Sequence, residues 1–259
     1  MGVLNVTPDS FSDGGHHLSS AQALLHARHL IDEGADILDI GGESTRPGAL
    51  PVAIEEERRR VLPIIEALAD CGVPLSIDTR KPGLMRDAVS AGASFINDIG
   101  ALSAPGALEA AAATDAAVCL MHKQGEPQSM QQNPQYTDVV AEVRDYLAGR
   151  IAVAQQAGIM RERLLVDPGF GFGKNFDHNL TLLRGLSALR LGVPLLVGLS
   201  RKAMLGKITG RDVGERVYAS IAVALIAVQN GAHIVRVHDV AATRDALAVW
   251  NTINRNAAP

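Results

Sequence analysis

Residues 33–40 read EGADILDI, residues 91–99 read AGASFINDI and residues 230–239 read NGAHIVRVHD. Each passes from the end of a helical pattern through Gly-Ala into a short apolar run that meets Asp, Asn or His. Glycine there suits the left-handed residue that closes a helix. An unbroken apolar run suits a parallel strand buried on both faces. Outward from these three, similar runs lie at 2–6, 36–40, 74–77, 94–96, 116–121, 164–166, 194–197 and 234–237. Stretches of helical period fall between and after them, at 21–33, 54–70, 83–91, 106–113, 139–157, 178–189, 215–230 and 243–254. Eight such units in 259 residues average roughly 32 residues, the size of the repeating unit in a (β/α)8 TIM barrel. The chain therefore reads as α/β, one barrel domain over 1–259, with its site at the C-terminal ends of the strands. An open doubly wound sheet is the competitor, disfavoured because no G-x-G-x-x-G follows the first run and no linker divides the chain.

Lys and Arg number 24 against 28 Asp and Glu, a net charge of −4, so nucleic acid is not the expected partner and any anion must be met by local cations. Cys71 and Cys119 have neither CxxC nor zinc-ligand spacing, which implies reduced thiols and a cytoplasmic protein. No apolar run approaches the roughly 18 residues that would cross a bilayer.

In a barrel, chemistry sits where strands end. Those places hold Asn5, Asp39, Asp78-Thr79, Asn97-Asp98, His122, Asp167, Ser200-Arg201-Lys202 and Arg236 with His238. A single Asp or Asn there could cap the next helix; polar groups converging from so many strands read as a binding site. Residues 5–15, NVTPDSFSDGG, form a long polar first loop of the kind that serves as a lid. Residues 41–48, GGESTRPG, add a second glycine-rich loop with one guanidinium, Arg46, suited to a carboxylate or phosphate.

Other signals are discounted. GFGFGK at 169–174 lacks a hydroxyl residue after Lys174 and has Pro168 where a phosphate loop has its first glycine, so it reads as a flexible loop behind Asp167. His16, His17, His26 and His29 read as solvated. The run from Glu55 to Arg60 reads as a solvated helix face with Glu55–Arg59 and Glu56–Arg60 pairs. Val217, Ile221, Ala224, Leu225 and Val228 read as a stripe packed on the barrel.

The two loops, with IDT at 77–79, INDI at 96–99, LLVDPGFGFGK at 164–174, VGLSRK at 197–202 and IVRVHD at 234–239, resemble the dihydropteroate synthase family of pterin-binding enzymes. The resemblance spans nearly the whole chain. It implies a transferase of folate biosynthesis joining p-aminobenzoate to 6-hydroxymethyl-7,8-dihydropterin diphosphate. The products are 7,8-dihydropteroate and diphosphate, formed by a magnesium-assisted dissociative displacement without a covalent protein nucleophile.

By that resemblance Asp78, Asn97, Ile99, Met121, Asp167, Phe172, Gly198 and Lys202 hold the pterin. Asn5, Arg236 and His238 surround the diphosphate, and Asn5 with Asp13 binds Mg2+. Phe11, Thr45, Arg46, Pro47, Ser200 and Lys202 hold p-aminobenzoate. Lys202, Arg236, Asp9 and Asp13 carry catalysis, Asp9 by offsetting developing positive charge. The p-aminobenzoate carboxylate is expected near the helix after Lys202, where Ala203 replaces the serine common in the family. The resemblance further implies competitive inhibition by sulfonamides, a homodimer through the late helices, and a short segment preceding the position of Met1. Three alternatives remain at this point. They are a methyltetrahydrofolate–corrinoid methyltransferase, disfavoured by the TPDSFSD and Ser200-Arg201-Lys202 motifs, a Schiff-base aldolase using Lys202, and a non-catalytic pterin-binding module.

Overall fold

Each apolar run becomes a parallel strand, and the strands close on themselves. The computed structural model describes residues 1–7, 16–44, 48–126 and 129–254, with 16–19 described by backbone alone. The strands are β1 Gly2–Asn5, β2 Leu38–Gly41, β3 Leu75–Asp78, β4 Phe95–Asp98, β5 Ala117–Met121, β6 Leu164–Asp167, β7 Leu196–Val197 and β8 Ile234–Val235. β1 through β6 pair side by side in chain order, and β7 pairs with β8. Single bridges join Val166 to Leu195 and Gly2 to Val237, so the ring is complete. The Val166 amide donates to the Pro194 carbonyl at 3.0 Å, and Val237 to Met1 at 2.9 Å. No helix among the described residues is long and apolar enough to cross a membrane.

Both strand faces are buried, which is why the runs are continuous rather than alternating. Leu38, Ile40, Leu75, Ile77, Ile96, Val118, Leu120, Leu164 and Val166 pack in the large outer core with the helices. Met1, Phe95, Cys119, Leu165 and Leu196 form a separate inner cluster inside the barrel. Because side chains alternate along a strand, the inward series continues past that apolar floor to Asp39, Asp78, Asn97, Met121 and Asp167. Asp98 belongs to the outward series. Its carboxylate takes the amides of Gly100 at 2.7 Å and Leu102 at 2.8 Å and so shapes the turn after β4.

The helices are α1 His16–Asp32, α2 Ile54–Leu68, α3 Pro82–Ser90, α4 Ala107–Ala112, α5 Val139–Gln156, α6 Phe176–Arg184, α7 Ala203–Thr209, α8 Val217–Gln229 and α9 Val240–Asn254. The stretch expected as one helix over 178–189 is α6 followed by a 3-10 turn, Leu186–Leu189, after Gly185. α7 has only seven residues, too few for a periodic pattern to reveal. The α8 stripe also differs from expectation. Ser220, Val223, Ala224 and Ala227 are buried, while Val217, Ile221, Leu225 and Val228 are half-buried flanks.

Nor is the charge run of α2 uniformly solvated. The Glu56–Arg60 pair forms at 2.8 Å, but Arg59 turns to Glu56 and Arg58 to Glu55. Arg60 reaches the Gly42 carbonyl at 2.7 Å, and Glu57 is buried against Lys81.

Candidate active site

Asp39, on β2 and wholly buried, is the hub of the barrel mouth. Its carboxylate accepts from Ser76 Oγ at 2.5 Å, Asn97 Nδ2 at 3.1 Å and Arg236 Nε at 2.5 Å. Arg236, entering just past β8, also donates from Nη2 to Asp78 Oδ2 at 2.9 Å. One guanidinium therefore bridges two carboxylates from neighbouring strands. Gly198, after β7, lies against this arm, and a Cβ there would meet Arg236 at ordinary van der Waals distance, 3.8 Å from its Cβ.

Burial, and then the Asp39 charge, raise the pKa of Asp78 to about 7. Burial works against the charge on Arg236, but Asp39 and Asp78 more than offset it, so the guanidinium is held above its ordinary pKa. Asp167, ending β6, is pushed up to about 6 by burial although its Oδ1 accepts the Gly169 amide at 2.7 Å. Lys202, just before α7, is lowered to about 8 by burial and then by Arg236. Its Nζ lies 4.5 Å from the centre of the Phe172 ring, within cation–π range. Ile99 and Met121 are buried at the ends of β4 and β5.

The set suits a flat heterocycle edged with N–H donors and ring-nitrogen acceptors. Carboxylates accept, Asn97 does both, and Lys202 donates. The carboxyl groups near 6 and 7 and the amine near 8 put proton positions within reach of neutral pH.

Beside this floor, His238 Nδ1 lies 3.0 Å from Ser200 Oγ, which also receives the His238 amide at 3.2 Å. Burial and then Arg236 lower the His238 pKa to about 4, so the imidazole is neutral at pH 7. Arg201 faces away from the floor and clasps Asp239 through Nε at 3.1 Å and Nη2 at 2.6 Å. That clasp ties the Ser200–Lys202 turn to the one carrying His238.

Asn5 is half-buried at the tip of β1. Asp9, Phe11, Asp13, Thr45, Arg46 and Pro47 lie outside the described residues. Among the described residues no group of three or more His, Cys, Asp or Glu is placed to hold a metal. The Asn5 amide oxygen is a hard donor of the kind magnesium accepts, so the fit rests on Asn5 with oxygens from Asp13 and from a ligand.

Asp39 and His122 stood in the polar set at the strand ends without a role of their own, and Lys174 was given none. Lys174 stood in the discounted GFGFGK segment, and that segment is not a loose loop. Gly169 and Gly173 have φ of 66° and 64°, and a Cβ on either would overlap the carbonyl oxygen of His122 or Gln124. The backbone of this turn is thus stacked directly on the segment after β5.

A closed barrel whose mouth gathers buried carboxylates, an amide and two cations around an apolar floor defines a pterin-binding enzyme, and the model of that family matches residues 1–238. The chain is 55% identical over 251 residues to the dihydropteroate synthase of Escherichia coli (strain K12), covering 96% of this chain and 89% of that one. It superposes on Xanthomonas albilineans dihydropteroate synthase, solved with 4-aminobenzoic acid, with a TM-score of 0.94 at 55% identity, over 100% of this chain and 93% of that one. The Yersinia pestis enzyme, solved as a sulfonamide drug complex, gives a TM-score of 0.94 at 50% identity over 98% and 94%. The chain belongs to the dihydropteroate synthase family, whose members are transferases.

Proposed function

We propose that the chain condenses 6-hydroxymethyl-7,8-dihydropterin diphosphate with p-aminobenzoate to give 7,8-dihydropteroate and diphosphate. The observation that carries this reading is the inward ring of Asp39, Asp78, Asn97 and Asp167 faced by Lys202 and Arg236. Asp78, Asn97 and Asp167 take the donor–acceptor edge of the pterin, Lys202 donates to its other side, and Ile99, Met121, Phe172 and Gly198 bound the rest of the slot. A heterocycle lacking those N–H groups leaves carboxylates without partners in a buried place and is rejected by a few kcal/mol.

The C–O bond to the pterin methylene breaks with its electron pair leaving on diphosphate. The aniline nitrogen then forms the C–N bond and releases a proton to solvent. Arg236 stays charged throughout the working pH range and stabilises the departing anion, while neutral His238 supplies an N–H. Asp9 offsets the positive charge developing on the methylene. Magnesium held by Asn5, Asp13 and diphosphate oxygens would neutralise charge on the leaving group. Phe11, Thr45, Arg46, Pro47, Ser200 and the Lys202 stem form the p-aminobenzoate pocket, where sulfonamides compete. The protein works as a cytoplasmic homodimer; its two thiols, Cys71 and Cys119, are unpaired.

Measuring magnesium-dependent diphosphate release, with and without p-aminobenzoate, tests the reading. Release coupled to dihydropteroate formation supports it. No release under either condition rejects it in favour of a pterin-binding module.

A further inference from the structure

We propose that Lys174 is the positioning residue of the pterin subsite: its buried amine ties the turn after β6 to the end of β5 and thereby fixes where Phe172 and the Asp167 carboxylate stand. The inference rests on the reading that Phe172 and Asp167 meet the pterin.

Lys174 is 2% exposed, yet no carboxylate lies within hydrogen-bonding distance of it among the described residues. Burying a cation without a counter-ion is costly: burial lowers the Lys174 pKa to about 7, and what charge it keeps is met by dipoles. Lys174 Nζ lies 2.9 Å from His122 Nδ1, 2.9 Å from the Gly169 carbonyl and 3.1 Å from the Phe172 carbonyl. In its protonated form the amine has three protons to donate, and here each has one acceptor. His122 Nδ1 must then accept, which puts its N–H on Nε2. Consistent with that, burial and then the Lys174 charge lower the His122 pKa to about 3.

The two carbonyls that Lys174 grips belong to residues that also act at the site. The Gly169 amide donates to Asp167 Oδ1, and the Phe172 ring lies under the Lys202 ammonium. Pulling both carbonyls toward Nζ therefore sets the Gly169 amide against one ligand-facing group and the Phe172 ring against another. The rest of the turn is secured separately. Asn179 Oδ1 accepts the Gly171 amide at 2.8 Å and Tyr136 Oη donates to the Gly173 carbonyl at 2.9 Å. Lys174 is thus placed to govern the Gly169–Phe172 half of the turn, the half facing the pterin.

Three measurements on the full chain test this. Steady-state kinetics on K174M should show a KM for the dihydropterin diphosphate raised about tenfold, with the p-aminobenzoate KM within about twofold. Combining K174M with F172A should add little to the larger single effect, because contacting groups are not additive. Hydrogen exchange at the Gly169 and Phe172 amides should quicken in K174M whatever ligand the site takes. Should K174M not fold, K174R takes its place with the same expectations, since a planar fork cannot address three acceptors converging on one point. Equal rises in both KM values, additive effects or unchanged exchange overturn the proposal. If F172A and D167N both leave the dihydropterin KM unchanged, the pterin reading itself falls; if they raise it and the Lys174 variants do not, only the role of Lys174 falls.

Discussion

At Asp78, burial and the neighbouring Asp39 carboxylate raise the pKa from 3.8 to about 7. The native state therefore binds a proton that the unfolded chain has lost between those values. The stabilisation linked to that proton is present below about pH 4 and disappears as pH rises through about 7. Asp78→Asn removes the titration, so its stability relative to the parent should improve by about 2 kcal/mol between pH 5 and pH 8. Urea unfolding at the two pH values checks this, and a gap independent of pH rejects it. The same variant should lose roughly a hundredfold in kcat/KM for the dihydropterin, the outcome expected of a carboxylate that serves binding at the expense of stability. Ala203 offers the opposite case. It is exposed at the first residue of α7, and Lys202 gives that helix no side-chain cap. Ala203→Ser adds a donor for the p-aminobenzoate carboxylate, worth up to about 1–1.5 kcal/mol, and should lower that KM up to about tenfold. An unchanged KM would count against the pocket assignment. Asp78, Asn97 and Asp167 were legible through the family resemblance, whereas the strand ends alone gave a polar set that also held the outward Asp98. The Asp39–Arg236 pair was not, since it spans the first and last parts of the chain and depends on one long side chain folding back across the mouth. Lys174 was masked by its likeness to a phosphate loop, a motif that carries no information on burial.

Among the elements, the described part of the segment after β2 is tied down by charged groups. Glu43 accepts the Val52 amide at 2.9 Å and Lys81 Nζ at 2.6 Å. Lys81 also pairs with Glu57, whose other oxygen is buried without a partner among the described residues. Lys81 immediately precedes α3 and lies three residues after Asp78, so this cation joins the second loop to the strand that presents Asp78. Lys81→Met strips Glu57 of its counter-ion and should destabilise the protein by about 3–5 kcal/mol. Adding Glu57→Met should recover more than half of that loss, read from urea midpoints. A double variant as unstable as the single one would mean that Glu57 contributes nothing through its charge. In both, the p-aminobenzoate KM should rise, because Glu43 loses Lys81 and keeps only Arg80 and the Val52 amide. The strands and most helices could be read from the sequence since their periods are long enough to count. α7 is too short, and α8 lacks the polar residues that would mark its outer face, so its buried stripe was misplaced onto the flanks.

That lack of polarity in α8 acts on the whole molecule. Its inner face packs through Ser220, Val223, Ala224 and Ala227, yet the outer face is apolar too. Tyr218, 83% exposed, lies on the same side as Ala222 and Ile226 at helical spacing, and neighbouring α9 exposes Val249 at 60% and Ile253 at 71%. A helix apolar all round is ordinarily a buried helix, and a contiguous apolar patch on a protein surface marks an interaction site. A second copy of this chain, related by a two-fold axis, would cover the face with itself. Tyr218→Asp combined with Ile226→Asp should therefore convert a dimer into a monomer by sedimentation, with far-ultraviolet circular dichroism unchanged. A parent that sediments as a monomer over the same concentrations rejects the assembly. Catalysis provides the finer test. Ser220 Oγ, on the inner face of α8, accepts the Arg201 amide at 2.9 Å, and Arg201 has a φ of 59° in the turn that presents Ser200 and Lys202. α8 thus supports the site from behind using contacts made within one chain. The monomeric variant should keep kcat/KM within about threefold of the parent; a larger loss would mean that the partner holds α8, and through Ser220 the turn carrying Lys202, in place.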